Sequence, residues 1–520
     1  MSLRTEVYGL LDKARRLCSE VPDAQQIAQT LTELRGRLDA PLRVAVVGEI
    51  KAGKSTFMNA LMKANIVYTG TEETTYTVCW FRYGDTPSLK VCFRDGSEQK
   101  APFEDLKKWS VRTYEKENPR IHDVQYLMVF YPAEVLKTME FIDTPGLNSV
   151  YGTDAQNTMD FLSLRGSEET LKEAGKADAV IFAFNRDFSD KSKKTLMQFH
   201  NCEKSNASPI NSIGIFTKLD CDGSWDIDAP ASPVELAEKR IEKVVNNPQV
   251  RQLLFTILPV CAKPSEGYRQ LDREDWKALR HLAGKHREEL CDILYDAQEF
   301  KTSKDEDFLE YGSVDSRKKL MAKLDRYGIL AITDGLRTGK EPEQLEAVLQ
   351  DVCGIDQVRQ LINKHFGNRT FLIKTQYTFS QLHVMIHQIQ RNPKSSQACR
   401  NVAEFLADEI DRLMSSVQAL KELTVLQMYY NGQLDCMTEE EKLDLLRVTR
   451  EFGRLPEDRL NARQDSSISD LSVLAKEQAA LWNGKANCGW LQSGEYTDAA
   501  AVIARSYELM HYHLSALIEE

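Results

Sequence analysis

The chain has no run of about 18 apolar residues, so no helix of it is expected to span a bilayer. It also has no basic surplus: 67 Lys and Arg stand against 78 Asp and Glu, a net charge of −11. That balance excludes general nucleic-acid binding, where a basic face supplies the affinity. It removes bulk attraction to anionic lipid as well, leaving only a local basic patch for such a role. The 11 cysteines form no Cys-x-x-Cys, and Met1-Ser2-Leu3-Arg4-Thr5-Glu6 lacks the apolar core of a signal peptide. Both features read as reduced thiols in a cytosol. His383 and His387 stand four apart, but no third ligand accompanies them, so metal binding there is the weaker reading. What remains is 42% hydrophobic and 28% charged over 520 residues, the make-up of a globular protein of two or three domains.

One octapeptide dominates what is present. Gly48-Glu49-Ile50-Lys51-Ala52-Gly53-Lys54-Ser55 fits Gly-x-x-x-x-Gly-Lys-Ser/Thr, between an apolar strand (Leu42 to Val47) and a helix that buries Phe57, Ala60, Leu61 and Met62. Glycines let the backbone wrap a phosphate so that several N–H groups point inward. Lys54 supplies a charge for the β- and γ-phosphates, and the Ser55 hydroxyl can ligate Mg²⁺. The candidate nucleotide-binding run is therefore Gly48, Glu49, Ile50, Lys51, Ala52, Gly53, Lys54, Ser55 and Thr56.

Two later strands choose the nucleotide. Met139 to Ile142 ends in Asp143-Thr144-Pro145-Gly146, which puts Asp143 where a carboxylate holds Mg²⁺ through water and the Gly146 N–H where it meets a γ-phosphate. Ile213 to Phe216 ends in Thr217-Lys218-Leu219-Asp220. A carboxylate at Asp220 accepts from guanine N1–H and the N2 amine, a donor pair that adenine lacks, so GTP is favoured over ATP. Thr217 and Lys218 complete the base site, Lys218 with its stem over the base. The polar loop Thr69-Gly70-Thr71-Glu72-Glu73-Thr74-Thr75-Tyr76-Thr77 suits a switch closing over the metal, with Thr75 as the metal-contacting residue and Thr74 as the alternative; an ordinary threonine-rich turn also explains it. Thr256 to Lys263 reads as a strand and loop closing over the base.

Together these words resemble the dynamin-like GTPase family, most closely its bacterial members: Gly48 to Leu61, the Thr-Thr before Trp80-Phe81-Arg82-Tyr83-Gly84, Asp143-Thr144-Pro145-Gly146-Leu147 and Thr217-Lys218-Leu219-Asp220. The resemblance covers residues 40–370 and implies GTP hydrolysis to GDP with Mg²⁺. It also implies self-association through G domains, or pairing with a second dynamin-like protein. The implied location is the cytoplasm, with peripheral contact at the inner face of a membrane. Eukaryotic members carry Gln-Ser where this chain has Ile50-Lys51. Ile50 cannot orient a water. Lys51 either places its ammonium near the β–γ bridging oxygen, where the guanylate-binding-protein branch has arginine, or faces solvent or a partner. The candidate catalytic set is thus Lys51, Lys54 and Thr75, and the metal set Ser55, Thr75 and Asp143. No Gln follows Gly146 to position water. A nucleotide-gated scaffold with little turnover of its own is therefore the second reading, and a P-loop ATPase, against which Asp220 argues, the third.

The expected fold is an α/β P-loop GTPase domain, a mostly parallel sheet with helices on both faces, plus an all-α bundle. Residues 1–39 read as two helices broken at Val21-Pro22-Asp23, residues 40–370 as the G domain, and 371–520 as the bundle. Leu89 to Phe93 is expected to pair with the strand before it. Val402, Leu406, Ile410, Leu413, Val417 and Leu420 form one stripe, Pro456 and Asn483-Gly484 read as breaks, and Thr438 with Glu441 as a capping box. The family resemblance implies a neck in which residues 1–39 pack with the last helix. Met428-Tyr429-Tyr430 and Trp482 to Trp490 are weak candidates for a lipid-touching tip.

Overall fold

A computed structural model describes the chain apart from residues 1–2, 22, 50, 70–76, 112–113, 115, 145–176, 186–187, 189–191, 194–195, 197–208, 221–224, 230, 246, 454, 488–492 and 520. Two compact units emerge: residues 41–363, and residues 1–40 together with 364–520.

In the first unit, nine strands among the described residues form one sheet in the order β4-β3-β5-β2-β6-β1-β7-β8-β9. They are β1 (Leu42–Gly48), β2 (Val78–Tyr83), β3 (Ser88–Phe93), β4 (Glu98–Ala101), β5 (Val124–Tyr131), β6 (Met139–Asp143), β7 (Ala179–Phe184), β8 (Ser212–Thr217) and β9 (Ile257–Val260). β1 lies between β6 and β7, parallel to both, and β7, β8 and β9 continue in parallel. β6, β7 and β8 are buried throughout, which is why they read as apolar runs rather than alternating ones.

Glu140 is the polar exception inside β6. Its carboxylate accepts from Trp80 Nε1 at 3.0 Å and Arg82 Nε at 2.8 Å, and Arg43 Nε lies 3.4 Å away. The two guanidiniums sit 4.8 and 5.0 Å from the Trp80 ring, so the buried charge is both paired and packed.

One expected pairing is corrected. β3 joins β4 and β5, not β2, and β5 lies parallel to β2 between the two. The short turn at Gly84 to Pro87 suggested a hairpin. The fully apolar centre of β5, Leu127-Met128-Val129, takes the buried place beside β2 instead.

The second unit is helical. Leu3–Ser19, Gln25–Asp39, Asn368–Arg391 and Gln397–Ser416 share one apolar core, with Leu11, Leu31, Leu382, Leu406 and Ile410 among its buried members. The apolar spacing of residues 3–39 follows the 3.6-residue period, so both helices turn one face inward. The N-terminal helices therefore pack with residues 368–416 and not with the last helix. Gly494–Glu519 packs mainly against Ile468–Ala486, where Ser472 Oγ lies 2.9 Å from His511 Nδ1 and Asn483 Nδ2 donates to Glu508 Oε1 at 2.9 Å.

Other expectations also change. The stripe from Val402 to Leu420 is split at Val417, whose extended backbone (φ −89°, ψ 111°) ends one helix and starts Gln418–Tyr430. Pro456 begins a helix, Pro456–Leu460, occupying the first-turn position where its missing N–H costs nothing. Asn483-Gly484 lies inside Ile468–Ala486, because fully buried Trp482 anchors that turn. Of the two candidates for a lipid-touching tip, Trp482 and Tyr430 are core residues, Met428 and Tyr429 are half-buried, and Trp490 lies outside the described residues. The capping box of Thr438 and Glu441 is formed, with the Thr438 N–H donating to Glu441 Oε2 at 2.8 Å. Buried Glu422 ties three of these helices together, accepting from Ser506 Oγ at 2.7 Å and Arg459 at 3.3 Å. No described helix is long and apolar enough to cross a membrane.

Candidate functional site

β1, β6 and β8 deliver three loops to the carboxyl end of the sheet, where open α/β sheets bind ligands. Gly48 closes β1 with φ +149°, and a Cβ there would sit 2.1 Å from the Ala183 carbonyl oxygen, so only glycine fits. The Glu49 N–H donates to that same carbonyl at 3.2 Å. Gly53 adopts a left-handed φ of 77° and caps the helix Lys54–Met62. The helix N-terminus, which no side chain caps, thus opens directly from the loop, the usual ground for an anion site. Lys54 is buried, and its Nζ donates to Glu49 O at 3.0 Å and lies 3.5 Å from Gly48 O. Lys51 is exposed at the crest of the loop with φ +59°.

Asp143, at the end of β6, is fully buried, and neither of its carboxylate oxygens has a hydrogen bond of ordinary geometry. Burial pushes its pKa up to about 7, against the pull of Lys54, the Ser55 hydroxyl and the Thr144 N–H. The Ser55 hydroxyl is near enough to act on it without making a well-formed bond. Two orphaned buried oxygens beside a hydroxyl make a donor set for a hard divalent cation such as Mg²⁺. Thr144, also buried, donates its hydroxyl to Val46 O at 3.0 Å and fixes the exit from β6 against β1.

Thr217 stands where the related motif usually has Asn, and the structure gives it a defined role. Its hydroxyl lies 2.6 Å from Ala52 O and 3.1 Å from Phe184 O, tying the base loop to the phosphate loop and to β7. Asp220 is buried, and its Oδ2 has no hydrogen-bond partner. Its pKa is raised to about 6, first by burial and then by the nearby Asp325, against Lys263 and Lys218. A base offering two N–H donors would satisfy that carboxylate; one lacking them would leave it unpaired.

The structure thus brings together Gly48, Glu49, Lys51, Ala52, Gly53, Lys54, Ser55, Thr56, Asp143, Thr217, Lys218 and Asp220. Ile50, Thr75, its alternative Thr74, and Gly146 lie outside the described residues. Two neighbours of these residues escaped the sequence reading. Ser192 Oγ lies 2.5 Å from Glu49 Oε1. Asn59 donates to Val67 O at 2.8 Å and Glu266 Oε1 at 2.7 Å, and its Oδ1 accepts from Val67 N at 2.8 Å. Asn59 therefore sets the path of the chain toward residue 70, beside a cavity of about 390 Å³ that Thr69, Cys79 and Asp143 help to line. The signal was present, an Asn five residues after Lys54, but a side chain that reads its own backbone looks ordinary in sequence.

Residues 44–219 match the sequence model of the Dynamin family. The isoniazid-induced protein IniC of Mycobacterium tuberculosis is 26% identical over 448 residues, 84% of each chain. A bacterial dynamin-like protein of Nostoc punctiforme is 33% identical over 126 residues, 22% of this chain and 18% of that protein. Dynamin-like protein 2 of Campylobacter jejuni is 27% identical over 155 residues, 29% of this chain and 24% of its own. A solved structure of an oligomerised bacterial dynamin pair covers 98% of this chain and 90% of its own, at 14% identity and a TM-score of 0.35, a superposition too loose to argue from.

Proposed function

We propose, for a chain that belongs to the dynamin-like family, that it binds GTP and GDP with Mg²⁺ and hydrolyses GTP. The single observation that carries this is the meeting of three groups at one end of the sheet: the glycine-built loop with Lys54, the orphaned carboxylate of Asp143, and the buried carboxylate of Asp220 with its unpartnered Oδ2. In this reading the loop N–H groups and Lys54 hold the phosphates, Ser55 and Asp143 hold the cation, and Asp220 reads guanine. Bound Mg²⁺ would neutralise charge on the phosphate oxygens. Lys54 would leave its carbonyl partners for the β- and γ-phosphates, a charge-assisted exchange.

The rest of the proposal concerns coupling. G domains pair, with one another or with a second dynamin-like chain, while the γ-phosphate is bound. Pairing then shifts the helical bundle, and hydrolysis withdraws the preference. Lys51, exposed at the crest, is free to face a partner's nucleotide or its own. The action is cytoplasmic, with peripheral contact at the inner face of a membrane.

The test is GTP turnover against protein concentration, with and without liposomes. Specific activity is expected to rise several-fold across the range in which the chain self-associates. A flat rate near the blank, with GTP still bound, would replace this reading with a nucleotide-gated scaffold that depends on a partner for hydrolysis.

A further inference from the structure

We propose that Asp325 is a positioning residue of the base site, holding Lys263 in an ion pair beside Asp220 and so fixing the charge pattern that a guanine base meets; this rests on the guanine reading above. Asp325 interrupts the helix Val314–Arg337 with φ +55° and ψ −179°. That region is essentially reserved for glycine, and residues held there cluster at functional sites. The side chain is not an ordinary helix cap. A cap accepts from N–H groups two or three residues on, whereas Asp325 Oδ1 accepts from the very next N–H, Arg326, at 2.9 Å. Its other oxygen accepts from Lys263 Nζ at 3.0 Å.

The kink is held on both sides. Gly267 and Gly328 let the helix press against Ala262–Gly267: a Cβ on Gly267 would meet Lys323 O at 2.0 Å, and one on Gly328 would meet Pro264 Cβ at 2.8 Å. The Arg326 guanidinium donates to Tyr295 O at 3.1 Å. The backbone is therefore pinned in a costly conformation whose visible product is a carboxylate aimed at Lys263.

The charges facing buried Asp220 come from three elements: Asp325 from the kinked helix, Lys263 from the helix after β9, and Lys218 from its own loop. The Cys353 thiol also lies close. Asp325 works against ionisation of Asp220, and Lys263 works for it. Held to Asp325, Lys263 offsets that repulsion and stays beside Asp220. Guanine must find Asp220 ionised to place two N–H donors on it.

The test is the pH dependence of binding of a fluorescent GDP analogue to the full chain, for wild type, Asp325→Asn and Lys263→Met. Comparison between variants cancels the titration of the phosphate and of Asp143. Asp325→Asn is expected to move the acid midpoint of binding down by roughly one unit, and Lys263→Met to move it up by a similar amount. A structural role alone would change affinity or stability without moving the midpoints in opposite directions. Should one variant not fold, the other still gives a signed shift. Wild-type binding with unmoved midpoints in the folded variants overturns the proposal and leaves the guanine reading standing. No binding by wild type at any pH overturns the guanine reading itself, and the proposal with it.

Discussion

Lys54→Ala is expected to lose at least about a hundredfold in affinity for GTP while the protein stays folded. In the nucleotide-free protein the ammonium is held by the carbonyls of Glu49 and Gly48, so its loss takes one donor from each, at a cost of about 1–3 kcal/mol to the fold. With nucleotide bound, the same ammonium would face the β- and γ-phosphates in a site walled by buried β1 and β7, where a charge-assisted bond counts for more than in water. Its removal also takes away the strongest influence that holds Asp143 toward its charged form. Titration with a fluorescent GTP analogue measures the effect, with unfolding midpoints as the control. Equal affinities for wild type and variant would remove the phosphate loop from the account.

The second large effect belongs to Asp143→Asn, and its sign depends on pH. The folded-state pKa of Asp143, about 7, lies above the ordinary aspartate value of about 3.9. The folded state therefore holds the proton more tightly than the unfolded one. Asp143 contributes its full stability below pH ~4 and loses it as pH rises through 7. Asparagine has no such loss. Without Mg²⁺, the variant should gain on wild type as pH rises from 5 to 8, by on the order of a few kcal/mol. The cation reverses the order. It would supply the charge that Asp143 lacks, so Mg²⁺ with GDP should stabilise wild type strongly and the variant weakly. Thermal unfolding at four conditions, two pH values with and without Mg²⁺ and GDP, checks both halves. A stability difference that does not change with pH would contradict the buried, uncompensated carboxylate.

Much of this was legible because backbone constraints write themselves into residue type. Only glycine fits at Gly48, and Gly53 turns left-handed to open the helix, so the loop shows in any reading of the chain. β6 and β8 are buried along their length and β1 everywhere but at Arg43, so they read as largely apolar runs, each ending in a polar word at the same end of the sheet. The helices of residues 3–39 declare themselves by period, and Thr438 with Glu441 by a local hydrogen-bond exchange.

What stayed hidden depends on partners distant in sequence. The pairing of β3 with β5 is decided by burial across more than thirty residues, which a turn at Gly84 to Pro87 does not encode. Asn483-Gly484 fails to break a helix because the neighbouring Trp482 is fully buried and holds that turn in the core. Thr217 reads in sequence only as part of the base site; its bonds to Ala52 and Phe184, which tie that loop to the phosphate loop and β7, show only in the fold. Asp325 carried no signal at all. A lone aspartate in a charged helix is unremarkable until its backbone angles and Lys263 are known.

The measurement that bears most directly on the account is competition at equilibrium: a fluorescent GDP analogue bound to wild type with Mg²⁺, challenged in turn by GTP, GDP and ATP. The buried, unpartnered Oδ2 of Asp220 predicts that GTP and GDP displace the probe at similar concentrations, while ATP needs at least about a hundredfold more. Equal displacement by ATP and GTP would contradict it, and would leave a phosphate site that does not read the base.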